Sequence, residues 1–140
     1  MEKPLVSHIG IAVSDLESAI EKFSRITGVT SPEIHTVEDQ KVKVAMFGPA
    51  ESEASGSTRI ELVAPTSADS PVAGFLALRG EGLHHICLYV DDLQARLTEL
   101  KKAGLKLIDE TPRTGADGCL IAFVHPSAAG VLIELQQRTK

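Results

Sequence analysis

The chain has 140 residues, 43% hydrophobic and 24% charged, with a formal net charge of −5. That length suits one domain, or two half-size modules around a shared core, because independent units of about 70 residues are marginal. No apolar run approaches the roughly 20 residues that span a bilayer, and an acidic balance without a Lys/Arg stripe argues against nucleic acid and for a small-molecule partner.

From the N-terminus, "SHIGIAV" alternates in the period-2 manner of a strand rich in Ile and Val. A helix follows: Ser14 and Glu17 have capping-box spacing, Leu16, Ala19, Ile20 and Phe23 form an apolar stripe, and Gly28 stops it. Three strands are predicted near 33–38, 42–48 and 58–64. The polar stretch "AESEASGS", Ala50 to Ser57, forms a hairpin loop between the last two. Ser70-Pro71 has the cap and first-turn residues of a short helix over 71–79. A second strand and helix then begin at "HHICLYVDDL", with Asp91 and Gln94 in capping positions, Leu93, Leu97 and Leu100 as the stripe and Gly104 as the stop. Strands near 105–109, 119–125 and 131–137 complete the chain. Cys87 and Cys119 both lie in apolar runs without a signal peptide ahead of them, which predicts buried thiols and a cytoplasmic protein.

The two halves repeat one another. Setting His8 over His85 aligns Ile9 with Ile86, Ile11 with Leu88, Val13 with Val90 and Asp15 with Asp92, and the same offset lays "AMFGP" over "AFVHP". Further on, Ile60-Glu61-Leu62 matches Ile133-Glu134-Leu135, with the 50–57 stretch as the insertion in the first copy. The unit is β-α-β-β-β, used twice.

Alternation puts Ile9, Ile11 and Val13 on one face of the first strand and His8, Gly10 and Ala12 on the other. His85 holds the same place in the second copy, and Glu61 and Glu134 each point away from their aliphatic neighbours. Buried carboxylates are costly unless charge or hydrogen bonding compensates them. A divalent cation explains two His and two Glu at repeat-equivalent sites, and this donor set suits Zn, Co, Ni or Mn. Each residue taken alone also fits a strand end or a half-exposed sheet; the shared repeat position favours the metal. His84 adjoins His85, so alternation sends it to the other face, in a packing or ligand-positioning role. His35 and His125 are not expected to ligate.

Over essentially its whole length the chain resembles the vicinal oxygen chelate superfamily. The strings "IELVAPTSADSPVAGFL", "RGEGLHHI", "LIDETPRTGADG" and "VLIEL" are similar to those of methylmalonyl-CoA epimerases, with "SPVAGFLALRGEGLHHI" the most specific. The resemblance implies an α+β glyoxalase-like fold, two βαβββ modules forming a curved eight-stranded mixed sheet around a metal cleft. It makes residues 1–140 a single domain, with module one at about 5–65, a linker helix at about 70–80 and module two at about 82–138. It further implies an isomerase, a homodimer acting on an acyl-CoA, that epimerises methylmalonyl-CoA at its α-carbon through a metal-stabilised enolate. The metal positions correspond to His8, Glu61, His85 and Glu134, with Glu134 also as the catalytic base. Some epimerases carry a further acid/base glutamate where this chain has Val44, which leaves Glu134, with Glu38, Lys43 or a water, for proton transfer. Lys41, Lys43 and Arg113 are candidates to meet coenzyme A phosphates. Two other readings remain: a glyoxalase I-type lyase acting on a glutathione hemithioacetal, and a metal-free antibiotic-binding module, which the 4% aromatic content and absence of Trp disfavour.

Overall fold

A computed structural model describes residues 5–49, 56–115 and 118–138. In chain order the elements are β1 (Leu5–Ala12), α1 (Leu16–Thr27), β2 (Glu33–Val37), β3 (Val42–Phe47), β4 (Arg59–Pro65), α2 (Pro71–Arg79), β5 (Gly82–Val90), α3 (Leu93–Lys102), β6 (Arg113–Thr114), β7 (Leu120–Val124), α4 (Pro126–Ala129) and β8 (Leu132–Gln137). All eight strands join one curved mixed sheet of order β2-β3-β4-β1-β5-β8-β7-β6. Within each half the first and last strands run parallel, β1 with β4 and β5 with β8, and the halves meet along the antiparallel β1/β5 pair. The α+β architecture of paired βαβββ units is therefore present, with β6 reduced to two residues.

The apolar alternation sorts the two faces. Ala45, Phe47 and Leu62 pack beneath α1 with Val13 and Ala19, while Ala122, Val124 and Leu135 pack beneath α3 with Leu93 and Leu97. Leu62, Leu93 and Leu97 are essentially inaccessible, and burying such a side chain contributes about 1.5–3 kcal/mol. The opposite face of the first half carries Ala12, Val42, Val44 and Val63, against which α2 lays Val72. The linking helix thus covers part of the face that bears the polar residues. It starts as its sequence dictates: Ser70 Oγ accepts from Val72 N at 3.2 Å and Pro71 occupies the first turn.

Three local expectations are corrected. The caps of α1 and α3 are Asp15 and Asp92, one residue later than Ser14 and Asp91; their carboxylates accept from Ser18 N at 3.1 Å and Ala95 N at 3.0 Å. Ser14 N instead donates to Glu81 Oε2 at 2.8 Å. The strand expected at 105–109 is a single bridge, Leu107 to Val124. There Ile108 N and Asp109 N both donate to Phe123 O, the Asp109 side chain takes Phe123 N at 2.8 Å, and Pro112 has no N–H to offer, so pairing resumes only at β6. Finally, the second half carries α4 between its last two strands, a helix not anticipated; of the loop expected at 50–57, residues 50–55 lie outside the described residues. Cys87 is buried and Cys119 half-buried.

Candidate metal centre and its cleft

His8, Glu61, His85 and Glu134 come from four adjacent strands, β4, β1, β5 and β8, and the fold brings all four together. All are buried. His8 Nε2 lies 3.2 Å from His85 Nε2. Glu134 Oε1 stands 3.3 Å from both of these nitrogens, and Glu61 reaches His85 Nε2 at 3.2 Å and His8 Nε2 at 3.7 Å. Donor atoms bound to one ion at about 2.1 Å stand roughly 3.0–3.4 Å apart in tetrahedral or octahedral shells, which is the spacing found here. His8, His85 and Glu134 form the tight group, each offering one donor within 4.8 Å of the others, and Glu61 joins it through the two imidazoles. Two imidazole nitrogens and a carboxylate, held this way out of water, fit a divalent cation.

The repeat explains how the two imidazoles are aimed. At the β1/β5 seam Ile9 faces Ile86, with His8 opposite Cys87 and Gly10 opposite His85. A register shift on each side leaves one extra residue, Ser7 in β1 and His84 in β5, at repeat-equivalent positions. Such bulges re-aim side chains. Ser7 Oγ contacts His8 Nδ1 at 3.0 Å and His84 Nδ1 contacts His85 Nδ1 at 2.9 Å, so each bulged residue holds the outer nitrogen of the next imidazole while Nε2 turns inward. This corrects the orientation expected for His84: the bulge cancels strict alternation, and its ring packs against both His85 and Phe75 of α2. Its positioning role stands. Ser7 and Gly10 were not singled out by the sequence reading, although the repeat pairs Ser7 with His84.

Charge at the centre is shared through protons. Burial opposes charge on His85, but Glu134 and Glu61 more than offset it and push its pKa up to about 10. Burial likewise opposes the Glu134 carboxylate, yet His8 and His85 hold it down at about 2. His84 is held down at about 4 by burial and by the neighbouring His85, so it stays neutral, and its Nδ1 shares one proton with His85 Nδ1. Burial pushes the Cys87 thiol well up, assisted by the nearby Glu134 and Glu61. Opposite His8, it is an inert packing group.

Beside the centre lies a cleft of about 220 Å³. Glu61, His85 and Glu134 line it, with Val42, Val44, Val63 and Val72 on one side and Ile121, Phe123 and Leu132 on the other. Val44 is buried in the apolar wall, where it can move no proton. Among the other proton-transfer candidates, Glu38 is not part of the lining and Lys43 is exposed on a strand position alternate to Val42 and Val44; Asp39, not anticipated, reaches the rim. Lys41 is paired with Asp69, while Arg113 lines the cleft. His35 lies on β2, 3.4 Å from Glu33, and His125 caps α4 by accepting from Ser127 N at 3.0 Å; neither joins the centre.

The family model of the Glyoxalase/Bleomycin resistance protein/Dioxygenase superfamily matches residues 7–123. An uncharacterized Bacillus subtilis protein, YqjC, is 42% identical over 93% of this chain and 89% of its own. Human mitochondrial methylmalonyl-CoA epimerase is 37% identical over 94% of this chain and 73% of its own. The crystal structure of methylmalonyl-CoA epimerase from Mycobacterium tuberculosis superposes with a TM-score of 0.87 at 34% identity, covering 100% of this chain and 93% of that one.

Proposed function

This chain belongs to the glyoxalase/bleomycin resistance protein/dioxygenase superfamily and, within it, to the methylmalonyl-CoA epimerases, and we propose that it interconverts the two epimers of methylmalonyl-CoA. The observation that carries the reading is the convergence of His8, Glu61, His85 and Glu134, two from each half, beside a cleft of acyl-group size. These four residues hold a divalent metal ion; cobalt, zinc, nickel and manganese all suit the donor set.

Epimerisation removes the α-proton and returns it to the other face, and the barrier is the enolate formed between. The ion, when bound, supplies Lewis-acid stabilisation of that negative charge. The protein's own side chains do the rest. Ser7 and His84 fix the imidazoles, so little reorganisation accompanies the charge change. Glu134 meets both imidazoles through Oε1, leaving Oε2 to take the α-proton. The valine wall opposite, Val42, Val44 and Val63, keeps bulk water from the enolate and offers no base, and Glu134 alone would return the proton to the face it left, so the proton that completes inversion comes from a water admitted at the Asp39 rim.

The same reading takes residues 1–140 as one domain, because both halves contribute to one centre. It also takes the enzyme as a homodimer, as the family resemblance implies, and as cytoplasmic, which the buried thiol of Cys87 supports. The deciding experiment is racemisation of a single methylmalonyl-CoA epimer, with and without chelator, followed by metal add-back. Turnover lost to chelation and restored by a divalent ion supports the reading. Turnover of a glutathione hemithioacetal instead, in a parallel assay, overturns it.

A further inference from the structure

We infer that Arg113 grips the free carboxylate of the substrate, so that the site selects malonyl-type acyl thioesters over those with no second carboxylate. The inference rests on the epimerase reading for its substrate, but its evidence is separate.

Arg113 is the only Lys or Arg side chain lining the cleft among the described residues. Its guanidinium carbon stands 5.1 Å from the centroid of the Phe123 ring, and Phe123 pairs in register with Glu134 on the neighbouring strand. The cation therefore sits over an aromatic platform next to the reaction centre, an arrangement that keeps a planar guanidinium oriented. Its Nε is inaccessible and turned to Asp109, while the side chain as a whole is 38% exposed, so a ligand in the cleft meets the terminal guanidinium nitrogens. The nearest carboxylate oxygen, Asp109 Oδ2 at 3.4 Å, gives an ion-pair contact only and already accepts Phe123 N at 2.8 Å. The two terminal nitrogens of a guanidinium take a carboxylate in a bidentate way.

Charge points to the same ligand. A divalent ion neutralises Glu61 and Glu134, and nothing then remains at the centre to compensate the negative carboxylate a malonyl group brings in. Arg113, with Asp109 on its Nε side, offers the attraction through its terminal nitrogens. The volume, about 220 Å³, accepts an acyl head and excludes the nucleotide end of coenzyme A, so a side chain lining it meets the acyl carboxylate rather than the phosphates.

The test compares binding of malonyl-CoA and acetyl-CoA, which differ by the carboxylate, to metal-loaded wild type, Arg113→Gln and Arg113→Lys. Arg113→Gln should raise the Kd for malonyl-CoA by about 10- to 100-fold and leave that for acetyl-CoA within about twofold, with Arg113→Lys recovering part of the loss. Equal losses for both ligands would assign Arg113 to the coenzyme, and unchanged binding of both would assign it to packing; either overturns the inference. Wild-type protein offers a second measurement should the variants fold poorly. The Arg113 Nη–H proton resonances should move downfield with malonyl-CoA and stay in place with acetyl-CoA, and identical shifts reject the contact. Failure of wild type to racemise methylmalonyl-CoA would overturn the epimerase reading alone, since the malonyl/acetyl difference is read by binding.

Discussion

The ring of His85 occupies the space that a β-carbon on Gly10 would fill: such an atom would stand 2.1 Å from His85 Cε1. Gly10 faces His85 across the β1/β5 seam, so the absence of a side chain in one half is what lets the imidazole of the other lie over the strand. Gly10→Ala should therefore expel the ring and lower metal affinity by at least about tenfold, measured by competition with a chromogenic chelator. Gly74→Ala is the control. Gly74 is helical with open space around it, and alanine there should add up to about 1 kcal/mol of stability. Unchanged metal affinity in Gly10→Ala would mean that the ring is not held in this pose.

The bulged residues make a paired prediction. Ser7→Ala and His84→Phe each remove a contact to the outer nitrogen of an imidazole while leaving Nε2 in place. Each should weaken metal binding by about 10- to 100-fold, with thermal stability of the metal-free protein changed far less. Equal metal affinity in both variants and wild type would reduce the two contacts to packing.

Helix caps offer a test of how far the sequence can be read. Asp15→Ala and Asp92→Ala each remove a side-chain acceptor from a helix N-terminus and should cost about 1 kcal/mol, roughly 3 °C in Tm for a chain of this size. Ser14→Ala and Asp91→Ala should be near neutral, since Ser14 engages through its backbone and Asp91 makes only an exposed ion pair with Arg138 at 3.8 Å. The opposite order of effects would restore the caps that the capping-box spacing suggested.

The cap shift shows where local pattern fell short. Spacing alone could not separate Ser14 from Asp15, yet the internal repeat keeps an aspartate at 15 and 92 while pairing Ser14 with Asp91. The repeat was the stronger signal, and it also led to His8, Glu61, His85 and Glu134. What it could not carry was the pleat: a bulge adds one residue and inverts the face of its neighbours, so His84 ended beside His85 although alternation separated them. The broken strand at 105–114 escaped for a related reason, because the Asp109 side chain replaces a backbone partner. The positions of Arg113 and Asp39 around the cleft depend on the curl of the whole sheet, which no short window of sequence contains.

Acidity and metal are linked at the centre, with a sign that differs on either side of neutrality. In metal-free protein His85 titrates near 10, above its ordinary 6.5, so its contribution to stability is complete below about 6.5 and is lost as pH rises through 10. Glu134 titrates near 2, below its ordinary 4.5, so its contribution is present above about 4.5 and is lost as pH falls through 2. Metal-free protein should therefore show a falling Tm from pH 6.5 to pH 10. Metal-loaded protein should hold its Tm across that range, because the ion replaces the proton between the carboxylates and His85, and should lose its ion as pH falls below about 6. A metal-free Tm that is flat or rising between pH 6.5 and 10 contradicts this proton arrangement.

Glu134 is asked both to hold the ion and to take the α-proton, and a metal lowers the basicity of its ligands. Glu134→Gln separates the roles. The amide oxygen keeps a donor toward the centre, while no oxygen or nitrogen of the side chain can accept the α-proton at neutral pH. Two measurements on the same protein decide the matter: metal content after dialysis, and α-proton exchange into methylmalonyl-CoA from deuterium oxide. The expected outcome is a protein that still takes up metal, more weakly than wild type, and exchanges about 10²- to 10⁴-fold more slowly when saturated with it. Exchange at the wild-type rate in the metal-saturated variant would remove Glu134 from proton transfer. The valine wall at Val44 offers no replacement, so the base would then have to be a water entering at Asp39, and Asp39→Asn would become the variant that slows exchange.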